Sequence, residues 1–172
     1  MAKYNKDNEY LSIINNIMSN KEFTKIENIK HHNTTRLDHS MKVSYYSYKI
    51  AKSLKLDYID VARGGLLHDF YTDKISECKK IKDKIKLFST KHPKDAVNNS
   101  KTYFELSEKE IDIIKSHMFP VDYRIPKYAE SWIVSSVDKV LSFFEFSKKF
   151  GYKLSYSYIF NLYLLFVLNI IK

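Results

Sequence analysis

The sequence predicts an all-α protein, folded as a single-domain helical bundle, and three observations predict it. Glycine and proline are scarce, three of each in 172 residues, so long stretches run without a breaker. Apolar residues recur at helical spacing, as in EYLSIINNIM, where Leu11, Ile14, Ile17 and Met18 share a face. No internal repeat or low-complexity linker divides the chain, and its length suits one domain with a real core. Apolar content of 44% and aromatic content of 15% exclude a disordered polymer.

The elements follow in order. After the EYLSIINNIM helix, a short helix is expected around KEFTKIENI, then a loop over KHHNTT in which Thr34 or Thr35 suits an N-cap. The next helix, Arg36–Leu54, carries Leu37, Met41, Tyr45 and Tyr48 on one stripe, with His39, Val43 and Tyr46 on an adjacent one. Another spans Tyr58–Phe70. The lysine-rich stretch 71–91 has weaker periodicity and reads as a lid or a solvated helix. Pro93 stands where a first helical residue is favoured, which puts His92 at a helix entrance. SEKEIDIIKSHM opens on a Ser-x-x-Glu capping box at Ser107 and Glu110 and stops near FPVDYRIP, whose prolines make a loop. A long helix, Lys127–Lys148, contains Asp138. An apolar helix over 153–171 then closes the chain, packing on the core or on a partner subunit. Its apolar run, Tyr156–Ile171, is short for a membrane span and is interrupted by Asn161 and Asn169.

Charge and cysteine usage narrow the setting. Net charge is +9, from 29 Lys and Arg against 20 Asp and Glu, a field that favours anionic ligands such as nucleotides and phosphate esters. A lysine-rich composition also arises without any such function. The single cysteine, Cys78, cannot form an internal disulfide, and the polar start MAKYNKDNEYLS has no signal-peptide core. A cytoplasmic location is expected.

The histidines carry the chemistry. His39 falls inside a helix, His68 and Asp69 at the end of the next, His92 at a helix start, His117 at a helix end and Asp138 within the long helix. A divalent metal in a helical bundle draws imidazoles and carboxylates inward from facing helices in this manner. Four His and two Asp suffice for a two-metal site in which one carboxylate bridges, and Asp69 suits that role because His68 beside it can bind one ion. Adjacent residues diverge by about 100° around a helix, so the pair converges only on ions near the helix end. Gly64 and Gly65, just upstream, would let another backbone approach closely.

The order H…HD…H…H…D, carried by TTRLDHSMKVSYYSYKIAKSLKLD, VARGGLLHDF, TKHPKDAVNNSKTYF, DIIKSHMFP and SSVDKV, resembles the HD-domain phosphohydrolase superfamily over about residues 31–140. It looks closest to small bacterial single-domain HD hydrolases. The resemblance implies a helical bundle of the HD-domain type and a metal-dependent phosphohydrolase, a phosphomonoesterase or phosphodiesterase. His39, His68, Asp69 and Asp138 match the four ligands that name the superfamily, and His92 and His117 match the extra pair of its binuclear members. Asp69 would bridge the ions, and a metal-activated water would attack phosphorus.

The implied cofactor is a pair of divalent transition metals, iron or manganese first, with zinc, cobalt and nickel also compatible with mixed N/O ligands. The expected partner is a small phosphorylated substrate such as a nucleotide, with no stable nucleic-acid complex and no membrane; a homodimer is compatible. Lys42, one helical turn after His39, is a candidate for the substrate phosphate. Lys91 beside His92 is another, and His32 with His31 stands just upstream of the first ligand. One departure counts against a cyclic dinucleotide. The HD-GYP branch carries a lysine three residues after the Asp of the doublet, where this chain has Thr72.

Two other readings remain open on the residues. Binuclear iron oxygenases of the same superfamily share all six ligands, and oxygen-dependent turnover would separate them from hydrolases. A non-catalytic nucleotide- or nucleic-acid-binding helical domain would use the positive charge alone, and steep salt dependence without turnover would mark it.

Overall fold

The structure, a computed structural model, describes residues 3–31, 34–71, 81–149 and position 161. Seven α-helices account for most of them: α1 (Asn8–Met18), α2 (Lys21–Thr24), α3 (Arg36–Ser53), α4 (Tyr58–Leu67), α5 (Ile81–Tyr103), α6 (Glu108–Ser116) and α7 (Ala129–Lys149). The fold is all-α. Apart from position 161, the expected C-terminal helix over 153–171 lies outside the described residues, as do His32, Thr72 and Cys78. No helix among the described residues is long and apolar enough to cross a membrane.

Most helix starts are capped by the residues beside them. Asp7 accepts from Tyr10 N, Asn20 from Glu22 N and Phe23 N, and Asp57 from Asp60 N, each satisfying an amide left free in the first turn. Thr35, the second of the two threonines, caps α3 by accepting from Asp38 N. At α6 both halves of the expected capping box form: Ser107 accepts from Glu110 N, and the Glu110 carboxylate accepts from Ser107 N.

Two expectations are corrected. KHHNTT is not a plain loop: Lys30–His31 (β1) and Thr34–Thr35 (β2) pair antiparallel in a two-residue ladder, Lys30 opposite Thr35 and His31 opposite Thr34. Pro93 does not begin a helix. α5 starts at Ile81 and carries Pro93 inside it, which makes the later part of the lysine-rich stretch the first turns of one long helix and puts His92 in its interior. An interior proline forfeits one backbone hydrogen bond and is disfavoured, so first-position statistics point the wrong way here. Arg124 donates from Nη2 to Thr90 O at 2.7 Å, adding a hydrogen bond beside the break.

α3 packs most extensively on α4; α7 lies against α3, α4 and α6; α5 packs on α6. Two apolar clusters fill these contacts. Tyr10, Ile14 and Ile17 of α1 meet Met41, Tyr45 and Tyr48 of α3 and Leu66 of α4. Val43, Val61, Ile113, Val134 and Leu141 join α3, α4, α6 and α7. The glycine pair explains how α4 fits between its neighbours. A Cβ on Gly65 would lie 3.1 Å from Ser44 Cα of α3, and one on Gly64 would lie 2.9 Å from Ile113 Cγ2 of α6. The absence of side chains at both positions lets α4 sit close on both sides. Ser44 Oγ then donates to Ala62 O at 2.6 Å and accepts from Tyr10 Oη at 2.8 Å, tying α1, α3 and α4 together.

Candidate metal centre

Five helices deliver one cluster of polar side chains. His39 comes from the first turn of α3, and His92 from inside α5. Asp138 comes from the middle of α7. His68 and His117 are the C-cap residues of α4 and α6, and Asp69 follows in the turn. All six are buried, with exposures between 0% and 5%. Burying this many titratable groups is costly unless each finds a partner or an ion.

The helix ends decide which imidazole nitrogens face inward. The last four carbonyls of a helix lack intrahelical donors. His68 Nδ1 donates to one of them, Gly65 O, at 2.7 Å, and His117 Nδ1 donates to another, Ile114 O, at 2.7 Å. Each ring is thereby fixed with its Nε2 lone pair turned into the cluster. Burial, reinforced by the neighbouring His68 and His92 rings, holds the His117 imidazole well below its ordinary pKa and therefore neutral.

Asp69 faces both sides. Its Oδ2 lies 3.7 Å from His68 Nε2, while its Oδ1 lies 3.7 Å from His92 Nε2 and 3.7 Å from His117 Nε2. His92 Nε2 and His117 Nε2 are 3.0 Å apart. Across the cluster, His39 Nε2 is 3.0 Å from Asp138 Oδ1, which also stands 3.8 Å from His68 Nε2. Three overlapping trios could hold a metal ion: His39, His68 and Asp69; His68, His117 and Asp138; Asp69, His92 and His117. Ligands that each sit about 2.0–2.2 Å from a shared ion lie roughly 3–4 Å from one another, so the spacings fit.

The donor set fits a cation for a further reason. His68 Nε2 is buried and has no hydrogen-bond partner. With Nδ1 committed as a donor, Nε2 presents a lone pair toward two carboxylate oxygens, an arrangement of like partial charges that a dication would reverse. Burial raises the Asp138 carboxyl, but Lys139 and the bonded His39 outweigh it and hold the carboxyl well below its usual range, as an anionic ligand must be.

Two contributors escaped the sequence reading. Lys139 donates from Nζ to Asp138 Oδ2 and to His117 O, each at 2.7 Å, joining α7 to the end of α6. Glu145, buried on α7, meets His39 Nδ1 through Oε2 at 3.1 Å. Its signal was present: it stands two helical turns beyond Asp138 on the same face. Burial alone would lower the His39 pKa, but the Asp138 and Glu145 carboxylates push it up to about 10. Of the expected substrate contacts, Lys42 pairs with Asp38 at 2.6 Å and with Glu145 at 3.3 Å. Lys91 is exposed on α5 beside His92, and His32 lies outside the described residues.

A family model, HD domain, matches residues 36–142, more than half of the chain and every one of the six clustered side chains. No curated protein and no solved structure matches the chain.

Proposed function

Because the chain belongs to the HD domain family, whose members are generally metal-dependent hydrolases, we propose that it is a phosphohydrolase acting on a small phosphate ester, a nucleotide included. The observation that carries this reading is His68 Nε2, buried, unpartnered and facing Asp69 and Asp138. In this reading His39, His68, Asp69 and Asp138 would hold one divalent ion, and Asp69, His92 and His117 would hold a second. Ions held there would supply Lewis acidity and lower the pKa of water at neutral pH.

The chain's own groups do the rest. Gly65 O and Ile114 O anchor the Nδ1 sides of His68 and His117 and so aim each Nε2 at the cluster. Lys139 neutralises part of the Asp138 charge while leaving Oδ1 turned to the cluster. Burial of the six side chains lowers the local dielectric and so strengthens each charge contact they make. The net charge of +9 draws a phosphate ester toward the protein. Lys91, exposed beside His92, is the cation we assign to the phosphate oxygens, since the Lys42 ammonium is engaged by two carboxylates. Iron or manganese is the expected metal pair.

The test is metal analysis of protein purified anaerobically, followed by a phosphate-release screen over nucleotides and simple phosphate esters. Release that requires Mn²⁺ or Fe²⁺ and stops with chelator is expected. Metal-loaded protein that releases no phosphate from any ester, yet consumes dioxygen during turnover, would replace hydrolysis with oxygenase chemistry.

A further inference from the structure

We propose that Glu145 is a positioning residue for His39, fixing its tautomer and aim through Nδ1, with Lys42 holding Glu145 in place. The inference rests on the metal reading above and adds residues to it that the six-ligand pattern does not contain.

The need for Glu145 follows from where His39 sits. His68 and His117 cap the ends of α4 and α6, where free carbonyls accept their Nδ1 protons. His39 lies in the first turn of α3, where the carbonyls behind it already serve the helix. Its ring is completely buried, so water cannot supply the acceptor. A side chain from another helix must do so, and Glu145 Oε2 does at 3.1 Å.

The helix geometry makes this a matched pair of rungs. Asp138 and Glu145 are two turns apart on α7, offset by only about 20° in rotation. Asp138 meets Nε2 of His39 at 3.0 Å, and Glu145 meets Nδ1 of the same ring at 3.1 Å. One turn along α3, Lys42 Nζ faces Glu145 Oε1 at 3.3 Å and is itself anchored by Asp38 at 2.6 Å. The two glutamate oxygens are thus divided between the ammonium and the imidazole. The His39 hydrogen bond and the Lys42 charge outweigh burial and keep the glutamate below its ordinary pKa. A carboxylate on the remote nitrogen raises the basicity of a ligating imidazole and fixes its plane, and loss of such a partner weakens metal binding about 10–100-fold.

Mn²⁺ titrated into metal-free protein, with the two affinities resolved by calorimetry and metal analysis after gel filtration, tests the assignment. In Glu145→Ala we expect one ion to bind about 100-fold more weakly while the ion on the His92 and His117 side keeps its affinity. Glu145→Gln retains an acceptor without the charge, and about a tenfold loss at that same ion is expected. Lys42→Met should fall in the same direction, and Lys25→Ala, at an exposed lysine paired with Glu22, should leave both affinities unchanged. Wild-type affinity for both ions in the Glu145 variants overturns the proposal, and so does equal weakening of both ions. Should Glu145→Ala fail to fold, Glu145→Gln decides alone by the same criterion. Wild-type protein that takes up no Mn²⁺ overturns the metal reading itself, and this inference with it.

Discussion

Asp69 differs from the other clustered side chains because its two oxygens serve different histidines, Oδ2 toward His68 and Oδ1 toward His92 and His117. Replacing it with asparagine keeps the volume but removes the negative charge and turns one oxygen into an amide nitrogen, which is not a ligand. Asp69→Asn is therefore expected to lose both ions and all phosphate release, read by metal analysis on the desalted protein; retention of two ions with turnover would remove Asp69 from the centre. His92 and His117 define the opposite case. Their Nε2 atoms lie 3.0 Å apart on one side of Asp69, so if the proposed two ions bind, His92→Ala with His117→Ala should hold about one ion per chain against two in the wild type. A double variant that still binds two ions would place the second ion elsewhere. These six residues were legible because their order and helical placement resemble the HD-domain pattern. Glu145 left only its two-turn spacing from Asp138 and Lys139 left no signal, because a carboxylate or ammonium among many acquires its role from what the opposing helix places against it.

At the scale of elements, the site depends on how closely α4 is held. Gly65 lies against the backbone of α3, and a methyl there would meet Ser44 Cα at 3.1 Å. Alanine gains up to about 1 kcal/mol of helix propensity over glycine, while forcing a tight backbone contact apart costs about 1–3 kcal/mol. The larger effect wins. Gly65→Ala should be less stable in urea by about 1–2 kcal/mol and should bind metal more weakly, since His68 is anchored to Gly65 O. Equal or greater stability would show that α3 yields at no cost. The clustered glycines announced a close approach but not its partner, which is a tertiary fact. Caps were readable because they are local: Thr35, Ser107 and Glu110 act within one turn of themselves. Pro93 misled for the opposite reason. Its local preference for a first turn is overridden by a helix that begins at Ile81 and runs through it, with Arg124 Nη2 donating to Thr90 O one residue beyond the carbonyl that Pro93 leaves without its amide donor. The short ladder over Lys30–Thr35 is too brief to leave an alternating pattern.

Across the whole molecule, α3 to α7 converge on polar side chains where a bundle of this kind would ordinarily bury apolar ones. The two apolar clusters hold α1, α3, α4, α6 and α7 to one another, and α5 contributes Ala96 to the first of them and His92 to the metal cluster. Without an ion, the meeting point consists of two carboxylates and four imidazoles taken out of water, one with an unpartnered nitrogen. A bound metal would therefore do two things for the bundle: offset that burial, and cross-link helices distant in sequence. Because the complete ligand set exists only in the folded chain, free metal at 100 times its dissociation constant adds about 2.7 kcal/mol of stability. For a chain of this length that corresponds to roughly 5–10 °C in melting temperature. Chelation followed by thermal melting should show this drop, and added Mn²⁺ should restore it. In Asp69→Asn the melting curves with metal and with chelator should superimpose, because the bridging charge is gone. A wild-type melting temperature that does not respond to chelator or to Mn²⁺ would mean that the buried cluster is satisfied by its own hydrogen bonds, and the metal assignment would fail at its root.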